Sequence, residues 1–149
     1  MALARELGAT DAINSGRENV AATIASHTQG LGVNYAIDTT GLSEVMKSAL
    51  EALATGGTLA PVAVTRHDLT FNPMRSLVAS SKKVIGVLMG DAIPQIAIPQ
   101  LIDWHQRGLF PYEKLVKFYD FADINQARED SASGVTIKPV LIIDKTYQF

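Results

Sequence analysis

The polar run from Asp38 to Gly41 is the first feature of this sequence whose residue types and position could do chemistry. It closes an apolar run that begins at Val33, and a helix-like stretch, two glycines and a second apolar run ending at Val64 follow it. This order is typical of one β-α-β unit, because parallel strands need a crossover helix and their buried faces read as continuous apolar runs. Ligands of open α/β sheets bind at the carboxyl ends of the strands. The run therefore predicts the edge of the sheet where a ligand would lie, without naming a reaction.

The histidines do not indicate a metal site. His27, His67 and His105 lack the spacing of metal ligands, the sequence has no H-E-x-x-H motif, and it contains no cysteine. A G-x-S-x-G nucleophile motif is also absent. We therefore predict no metal ligand and no catalytic residue in this chain.

The composition bounds the class of protein. The chain has 149 residues, a net charge of −2 and 47% apolar residues, which is ordinary for one globular domain with a core. Its charge is too small and too mixed to favour nucleic acid or an anionic membrane surface. No apolar run approaches the roughly 20 residues of a membrane span, and the N-terminus has no signal-peptide pattern. We expect a cytoplasmic protein that binds neither nucleic acid nor membrane.

Helical and extended patterns alternate along the chain, without repeats or linkers, and predict a single α/β unit over residues 1–149. The helix that begins near Ser43, its predicted N-cap, places Val45, Ala49, Leu50 and Leu53 on the face toward the sheet. Gly56-Gly57 is expected to end this helix. Helices are predicted at 1–7, 19–27, 43–55, 73–80 (with Asn72 as its cap), 93–107 (kinked or restarted at Pro99) and 123–132, and strands at 11–14, 33–38, 84–90, 116–121 and 139–143, with one more that closes at Val64.

Blocks spread over the chain resemble the zinc-type medium-chain alcohol dehydrogenases. Together they cover essentially the whole chain, but only about the C-terminal two-fifths of a family member. The last two blocks are most similar to the aryl-alcohol (benzyl-alcohol) dehydrogenase branch. In order, the blocks are ALARELGATDAINS at 2–15, GLGVNYAIDTTG at 30–41, LEALATGGTLAPVAV at 50–64, LTFNP at 69–73, KKVIGVLMGD at 82–91, LVKFYDFADINQARED at 115–130 and SGVTIKPVLII at 133–143.

The resemblance implies an α/β fold with a partial Rossmann-type parallel sheet, the second half of a coenzyme-binding domain with flanking helices, and a C-terminal return segment. A family member also has a domain with the catalytic zinc ligands, and a Gly-rich loop that holds the cofactor pyrophosphate at a helix N-terminus. This sequence has no G-x-G-x-x-G motif. We therefore expect a truncated dehydrogenase that is inactive alone and binds the cofactor weakly or not at all.

The resemblance assigns cofactor contacts to a few polar and small residues. Thr40 and Gly41 match family positions that run beside the cofactor, and a strand-to-helix turn is the alternative explanation. Asp38 could be taken for a ribose-binding carboxylate, but the family's acidic residue belongs to a strand missing here, so Asp38 is predicted to be structural. Lys138 matches a basic position that reaches the pyrophosphate, and a lysine suits a phosphate as a point charge. The alternative for Lys138 is a solvated surface lysine.

Apolar strand ends complete the implied cofactor wall. The segment from Val62 to Val64 closes one strand, and Val87 and Leu88 close the next. Their family counterparts place backbone groups near the nicotinamide carboxamide. Without the resemblance, each of these Val-rich runs would be interpreted only as core.

The parent reaction implied by the resemblance is reversible hydride transfer between a primary, for example aromatic, alcohol and NAD or NADP. Zinc would act there as a Lewis acid on the substrate oxygen, but its ligands are not in this chain. NAD and NADP stay undistinguished, because the discriminating carboxylate lies on the absent strand. Two alternatives stay open: a fragment of a zinc-free quinone reductase, which shares this half, and a non-catalytic half-domain that acts as an oligomerisation module.

Assembly is predicted from the strand edges. The run from Val84 to Met89 matches the family's edge strand, which joins two coenzyme domains across a two-fold axis. The apolar strand from Val33 to Asp38 would lack neighbours on one side, and such edges recruit other strands. Since symmetric contacts are the commonest way in which soluble chains associate, we predict a homodimer through Val84–Met89.

Overall fold

The computed structural model describes residues 1–66 and 68–146. Within it the chain divides into two compact units, Met1–Ala92 and Ile93–Phe149, and each is described by itself. The single unit over residues 1–149 stays a prediction. In the part of the chain that the structure describes, no helix has the length and apolar character needed to cross a membrane.

The first unit is built around a three-stranded parallel sheet in the order β1-β2-β3. Ala36 of β1 pairs with Leu59 of β2, and Leu59 pairs with Val84 of β3. Helix α3 connects β1 to β2, which confirms the predicted β-α-β unit. The elements are α1 (Ala2–Glu6), α2 (Val20–His27), β1 (Val33–Asp38), α3 (Ser43–Ala52), β2 (Leu53–Pro61), α4 (Pro73–Ser76) and β3 (Lys83–Val84), with 3₁₀ turns at Val78–Ser80 and Met89–Asp91.

The core of this unit lies between α3 and one face of the sheet. Leu59 is completely buried at its centre, against Met46, Leu50 and Leu53. The predicted positions Leu50 and Leu53 are therefore core residues, whereas Val45 is only half-buried and Met46 takes the buried place. Burying one such side chain contributes about 1.5–3 kcal/mol to stability.

Helix starts follow local hydrogen bonding, with one correction. The Asn19 and Asn72 side chains accept backbone N–H groups at the starts of α2 and α4, and Asn72 confirms its predicted cap. Ser43 is not an N-cap, since Leu42 takes that position and the Ser43 hydroxyl donates to the carbonyl of Asp68 at 2.9 Å.

The glycine pair was expected to end α3, but the helix already ends at Ala52. Gly56 and Gly57 lie inside β2, where the pairing with β1 shifts between Val33 and Tyr35. Gly56 has a φ of +77°, a backbone conformation that favours glycine. The two glycines therefore form the irregularity that brings β2 into register.

Three predicted strands are wrong or end early, and one of them, expected to close at Val62–Val64, already ends at Pro61. Residues 11–14 form no strand; instead the carbonyl of Asn14 accepts the N–H groups of Arg17 and Glu18 in a turn. The strand predicted at Val84–Gly90 is only Lys83–Val84, because β2 ends at Pro61 and leaves little to pair with. Isolated backbone hydrogen bonds continue as far as Val87, and a 3₁₀ turn begins at Met89.

The second unit contains α5 (Pro94–Gln106), a 3₁₀ turn at Tyr112–Leu115, β4 (Val116–Asp120), a 3₁₀ turn at Phe121–Asp123, α6 (Ile124–Ala132) and β5 (Lys138–Ile142). Strands β4 and β5 are parallel and α6 connects them, which makes a second β-α-β unit. Helix α5 continues through Pro99, so the helix does not restart there, and the kink stays a prediction. The buried residues of this unit are Tyr119, Ala127 and Thr136.

Candidate functional site

The carboxyl edge of the three-stranded sheet brings the ends of its strands side by side. The N–H of Val62 donates to the carbonyl of Asp38 at 3.0 Å, and the N–H of Val87 donates to the carbonyl of Pro61 at 3.2 Å. The loops after β1 and β2 and the segment after β3 therefore emerge next to one another. This is the edge at which ligands of such sheets bind.

A buried carboxylate organises the loop that follows β1. Asp38 is 3% exposed, and its Oδ1 accepts the N–H of Thr40 at 3.1 Å and the Thr40 hydroxyl at 2.6 Å. Its Oδ2 accepts the N–H of Gly41 at 2.9 Å. Burial by itself would raise the pKa of Asp38, but these hydrogen bonds, led by the Thr40 hydroxyl, lower that pKa below its ordinary value. The Asp38 carboxylate thus accepts hydrogen bonds from the loop that follows it and fixes the backbone conformation of that loop.

Gly41 is held where a side chain would not fit. Its φ is +68°, and a Cβ on it would lie 3.1 Å from the Cβ of Thr65, 3.3 Å from the carbonyl oxygen of Val64 and 3.4 Å from the Cβ of Ala63. The loop after β1 therefore packs directly on the segment after β2. Glycine is needed here for both its conformation and its size.

Exposed apolar side chains cover this edge. Val64 is 98% exposed, Leu88 is 80% exposed and Val62 is 40% exposed, while Val87 is half-buried. Thr40 is exposed and Gly41 is buried. Six of the seven predicted cofactor-binding residues thus follow the ends of neighbouring strands at one edge. An apolar surface with a few convergent polar groups suits a flat aromatic ring.

Two concave surfaces of the first unit lie away from this edge. A cleft of about 640 Å³ lies at the amino edge of the sheet and is lined by Lys47, Leu50, Phe71, Arg75 and Lys82, among others. There the Lys82 ammonium donates to the carbonyl of Leu50 at 2.8 Å. A groove of about 430 Å³ runs between α2, α3 and β1. Neither of these two surfaces is lined by a residue of the predicted cofactor wall.

The seventh predicted residue, Lys138, lies in the second unit. It is the first residue of β5, it is exposed, and it pairs in register with Val116 of β4. The same unit contains a hydrogen-bonded group at Tyr119, Asp130 and Thr136 that the sequence pattern did not predict. The alternation of residues along β4 predicts at most that Tyr119 faces inward. It does not predict that Asp130 and Thr136, 11 and 17 residues further along the chain, lie next to Tyr119.

The histidines are structural where the structure describes them. His27 Nδ1 lies 2.8 Å from Asp11 Oδ2, and His105 Nδ1 lies 3.1 Å from the carbonyl oxygen of Phe110. His67 lies outside the described residues. Among residues 1–66 and 68–146, no group of three His, Cys, Asp or Glu side chains is placed to hold a metal ion. The donors present in this part of the chain do not fit a zinc site.

Comparisons with known proteins agree with this architecture. A family model described as zinc-binding dehydrogenase matches residues 1–107. A geraniol dehydrogenase of Castellaniella defragrans is 37% identical over 143 residues, which is 95% of this chain and 38% of that relative. An alcohol dehydrogenase class-2 isozyme 2 of Oryctolagus cuniculus is 33% identical over 147 residues and is covered to the same 38%.

Two solved structures are also similar over almost the whole chain. An alcohol dehydrogenase zinc-binding domain protein of Burkholderia ambifaria is 43% identical with a TM-score of 0.90, over 96% of this chain and 39% of that one. A benzyl alcohol dehydrogenase of Acinetobacter calcoaceticus is 39% identical with a TM-score of 0.91, over 96% of this chain and 40% of that one. The chain thus spans about two-fifths of the length of these relatives. The predicted fold, an α/β half of a Rossmann-type coenzyme domain, is confirmed.

Proposed function

Because the chain belongs to the zinc-binding dehydrogenase family, we propose that it supplies the wall of a nicotinamide-cofactor site in an alcohol dehydrogenase. The observation that carries the proposal is the carboxyl edge of the sheet, where Gly41 packs on Ala63 and Val64 beside exposed apolar side chains. The catalytic zinc and its ligands belong to the remainder of such an enzyme. This chain by itself is inactive.

Each residue of the wall has a physical role. Gly41 lets the loop after β1 pack closely on the segment after β2, and the exposed Thr40, whose hydroxyl donates to Asp38, adds a polar group at the same loop. Val64 and Leu88, both largely exposed, provide apolar surface for a flat ring. The cofactor, NAD or NADP, would carry the hydride. The residues of this chain would bind and orient it, and Lys138 would face its pyrophosphate.

The substrate is proposed from the relatives alone. The named substrates of the Castellaniella and Acinetobacter proteins are geraniol and benzyl alcohol, both primary alcohols. We therefore propose a primary alcohol, of which an aromatic one is an example, and its aldehyde as the reacting pair. No residue of this wall distinguishes the two alcohols.

A homodimer through Val84–Met89 is part of the proposal. Strand β3 pairs only with β2 within the described residues, so no other described strand occupies its outer edge. Ile85, Leu88 and Met89 on this segment are exposed. An open apolar edge favours pairing with an identical strand. Such an interface would also serve the alternative of a non-catalytic oligomerisation module.

An NMR titration of this chain with NAD tests the cofactor wall. We expect weak binding, of the order of 1 mM (about −4 kcal/mol), with amide shifts concentrated at 40–41, 62–64 and 87–88. Val64→Ser should raise the Kd by about tenfold, because it removes apolar contact with the ring. Val78→Ser is the matched control, since Val78 is also exposed but lies in the 3₁₀ turn before β3.

Shifts that map to the amino-edge cleft, or none at 10 mM NAD, would contradict the proposed wall. The same preparation should turn over neither benzyl alcohol nor geraniol with NAD and should hold no stoichiometric zinc. Measured turnover, or one zinc per chain by elemental analysis, would show that this chain is more than a cofactor wall.

A further inference from the structure

The backbone just before Lys138 is held in place by a chain of hydrogen bonds between largely buried side chains. The hydroxyl of Tyr119, a residue buried on β4, lies 2.6 Å from Oδ2 of Asp130 on α6 and 2.6 Å from Oγ1 of Thr136. An ionised carboxylate only accepts hydrogen bonds, so Tyr119 donates to Asp130. Since a hydroxyl has one proton, Thr136 must then donate to Tyr119. The three side chains form a directed relay from Thr136 to Asp130.

Asp130 is the fixed end of this relay. Its side chain is only 15% exposed and also accepts Nε2 of Gln126 at 2.8 Å and Nζ of Lys117 at 3.2 Å. The hydrogen bonds from Tyr119, Gln126 and Lys117, in that order, lower the pKa of Asp130 below its ordinary value. The carboxylate therefore stays ionised and keeps its role as acceptor.

The main chain before Lys138 is tied to the same residue. The N–H of Thr136 donates to the carbonyl of Asp130 at 3.1 Å, and the hydroxyl of Ser133 donates to that carbonyl at 3.2 Å. Two residues later Lys138 enters β5, and Pro139 after it restricts the Lys138 backbone to extended conformations. The backbone of Lys138 is thus constrained on both sides.

The ammonium of Lys138 differs from those of the other lysines in this unit. Lys117 pairs with Asp130 at 3.2 Å, Lys145 pairs with Asp120 at 2.7 Å, and Lys114 also has a partner. Among the described residues no hydrogen bond or ion pair engages the Lys138 side chain. Lys138 thus combines a constrained backbone with an ammonium group that has no partner among the described residues. Such a group can bind an anionic ligand.

We propose that Tyr119, Asp130 and Thr136 are positioning residues that hold Lys138 where it binds the pyrophosphate group of the cofactor. None of the three needs to touch the ligand. The inference rests on the proposed function, because it takes Lys138 as the residue that contacts the ligand. It adds three residues that act on binding only through Lys138.

The test is an NMR titration of this chain with inorganic pyrophosphate, read at the amides of Ile137, Lys138 and Val140. Lys138→Ala should raise the Kd about tenfold, the usual scale for a hydrogen bond to a charged group. Tyr119→Phe and Thr136→Val should raise it about threefold to fivefold, while Thr136→Ser, which keeps the hydroxyl, should restore it. Tyr112→Phe is the matched control, because Tyr112 is a half-exposed tyrosine of the same unit whose ring packs on His105.

A double-mutant cycle separates positioning from general loss of structure. In the Lys138→Ala background Tyr119→Phe should have no further effect on the Kd, since non-additivity marks residues that act through one another. If Tyr119→Phe and Thr136→Val leave the Kd unchanged while Lys138→Ala raises it, the positioning role is wrong and the function proposed for Lys138 stands. If Lys138→Ala changes nothing, or pyrophosphate does not shift these amides at 20 mM, the pyrophosphate role of Lys138 fails and the positioning proposal fails with it. Should Tyr119→Phe unfold the chain, Thr136→Val against Thr136→Ser gives the same comparison.

Discussion

Replacing Asp38 with asparagine should open the loop at the carboxyl edge of the sheet. Asp38 Oδ1 holds two donors of Thr40, and Oδ2 holds the N–H of Gly41. Asparagine keeps one acceptor oxygen and places an NH₂ group opposite a donor at the other position. A hydrogen bond to a charged group contributes about 1.5–3 kcal/mol, and a buried donor without a partner adds a penalty. We therefore expect the free energy of unfolding to fall by about 2 kcal/mol.

The effect should depend on pH with a definite sign. The pKa of Asp38 is lowered in the folded chain from the ordinary value of 3.8, so the stability that it contributes is complete above the unfolded pKa. This stability is lost as the pH falls through the lower, folded pKa. The difference between the wild type and Asp38→Asn should thus be constant from about pH 7 to 5 and should shrink below about pH 4.

Urea unfolding followed by circular dichroism measures the global difference, and amide hydrogen exchange measures the local one. The Gly41 amide should exchange about 30-fold faster in Asp38→Asn, which corresponds to about 2 kcal/mol. Asp91→Asn is the matched control, because Asp91 is an exposed aspartate of the same unit at a φ of +50° that asparagine tolerates. A loss below about 0.5 kcal/mol, the range of ordinary surface substitutions, together with unchanged Gly41 exchange, would refute the reasoning.

Three further outcomes are expected. Gly41→Ala should destabilise the chain by about 1–3 kcal/mol, because of its positive φ and the 3.1 Å contact that a Cβ would make; Gly86→Ala, with no positive φ and open space around it, should cost much less in the same urea titration. Lys82→Met should lower the melting temperature, because it removes the hydrogen bond to the last turn of α3, which contributes about 1 kcal/mol. An unchanged melting curve would argue against a stabilising role of this hydrogen bond. Val87→Asp should weaken self-association in sedimentation velocity, since it places a charge on the segment after β3. The dimer would be contradicted if the wild-type chain sedimented as a monomer at about tens of micromolar, in the range where strand edges associate.

The sequence by itself determined the β-α-β unit and the edge where its polar residues lie. Apolar runs at Val33–Asp38 and around Leu59, with an amphipathic stretch between them, are local patterns, and local patterns predict elements well. The same locality applies to the Asn72 cap, whose partner is three residues away. The family blocks predicted the wall residues, and the family match confirms the class of protein.

Strand pairing could not be predicted from the sequence. A strand is predicted at residues 11–14, but a strand exists only with a neighbour, and none pairs with them in the described chain. The run after Val84 is apolar enough for a longer strand, yet β2 ends at Pro61 and limits it. Hydrogen-bond partners in a sheet are distant in the chain, so only the tertiary structure decides where a strand ends.

The tertiary structure also decided which polar groups act together. Asp38 is predicted to be structural, and its partners Thr40 and Gly41 are only two and three residues away. The burial of this carboxylate, in contrast, depends on how the elements pack. Tyr119 and Thr136 lie 17 residues apart and meet only because α6 returns the chain beside β4. A sequence specifies local preferences residue by residue, whereas directed hydrogen bonds depend on distances of a few tenths of an ångström, which are set when the elements pack.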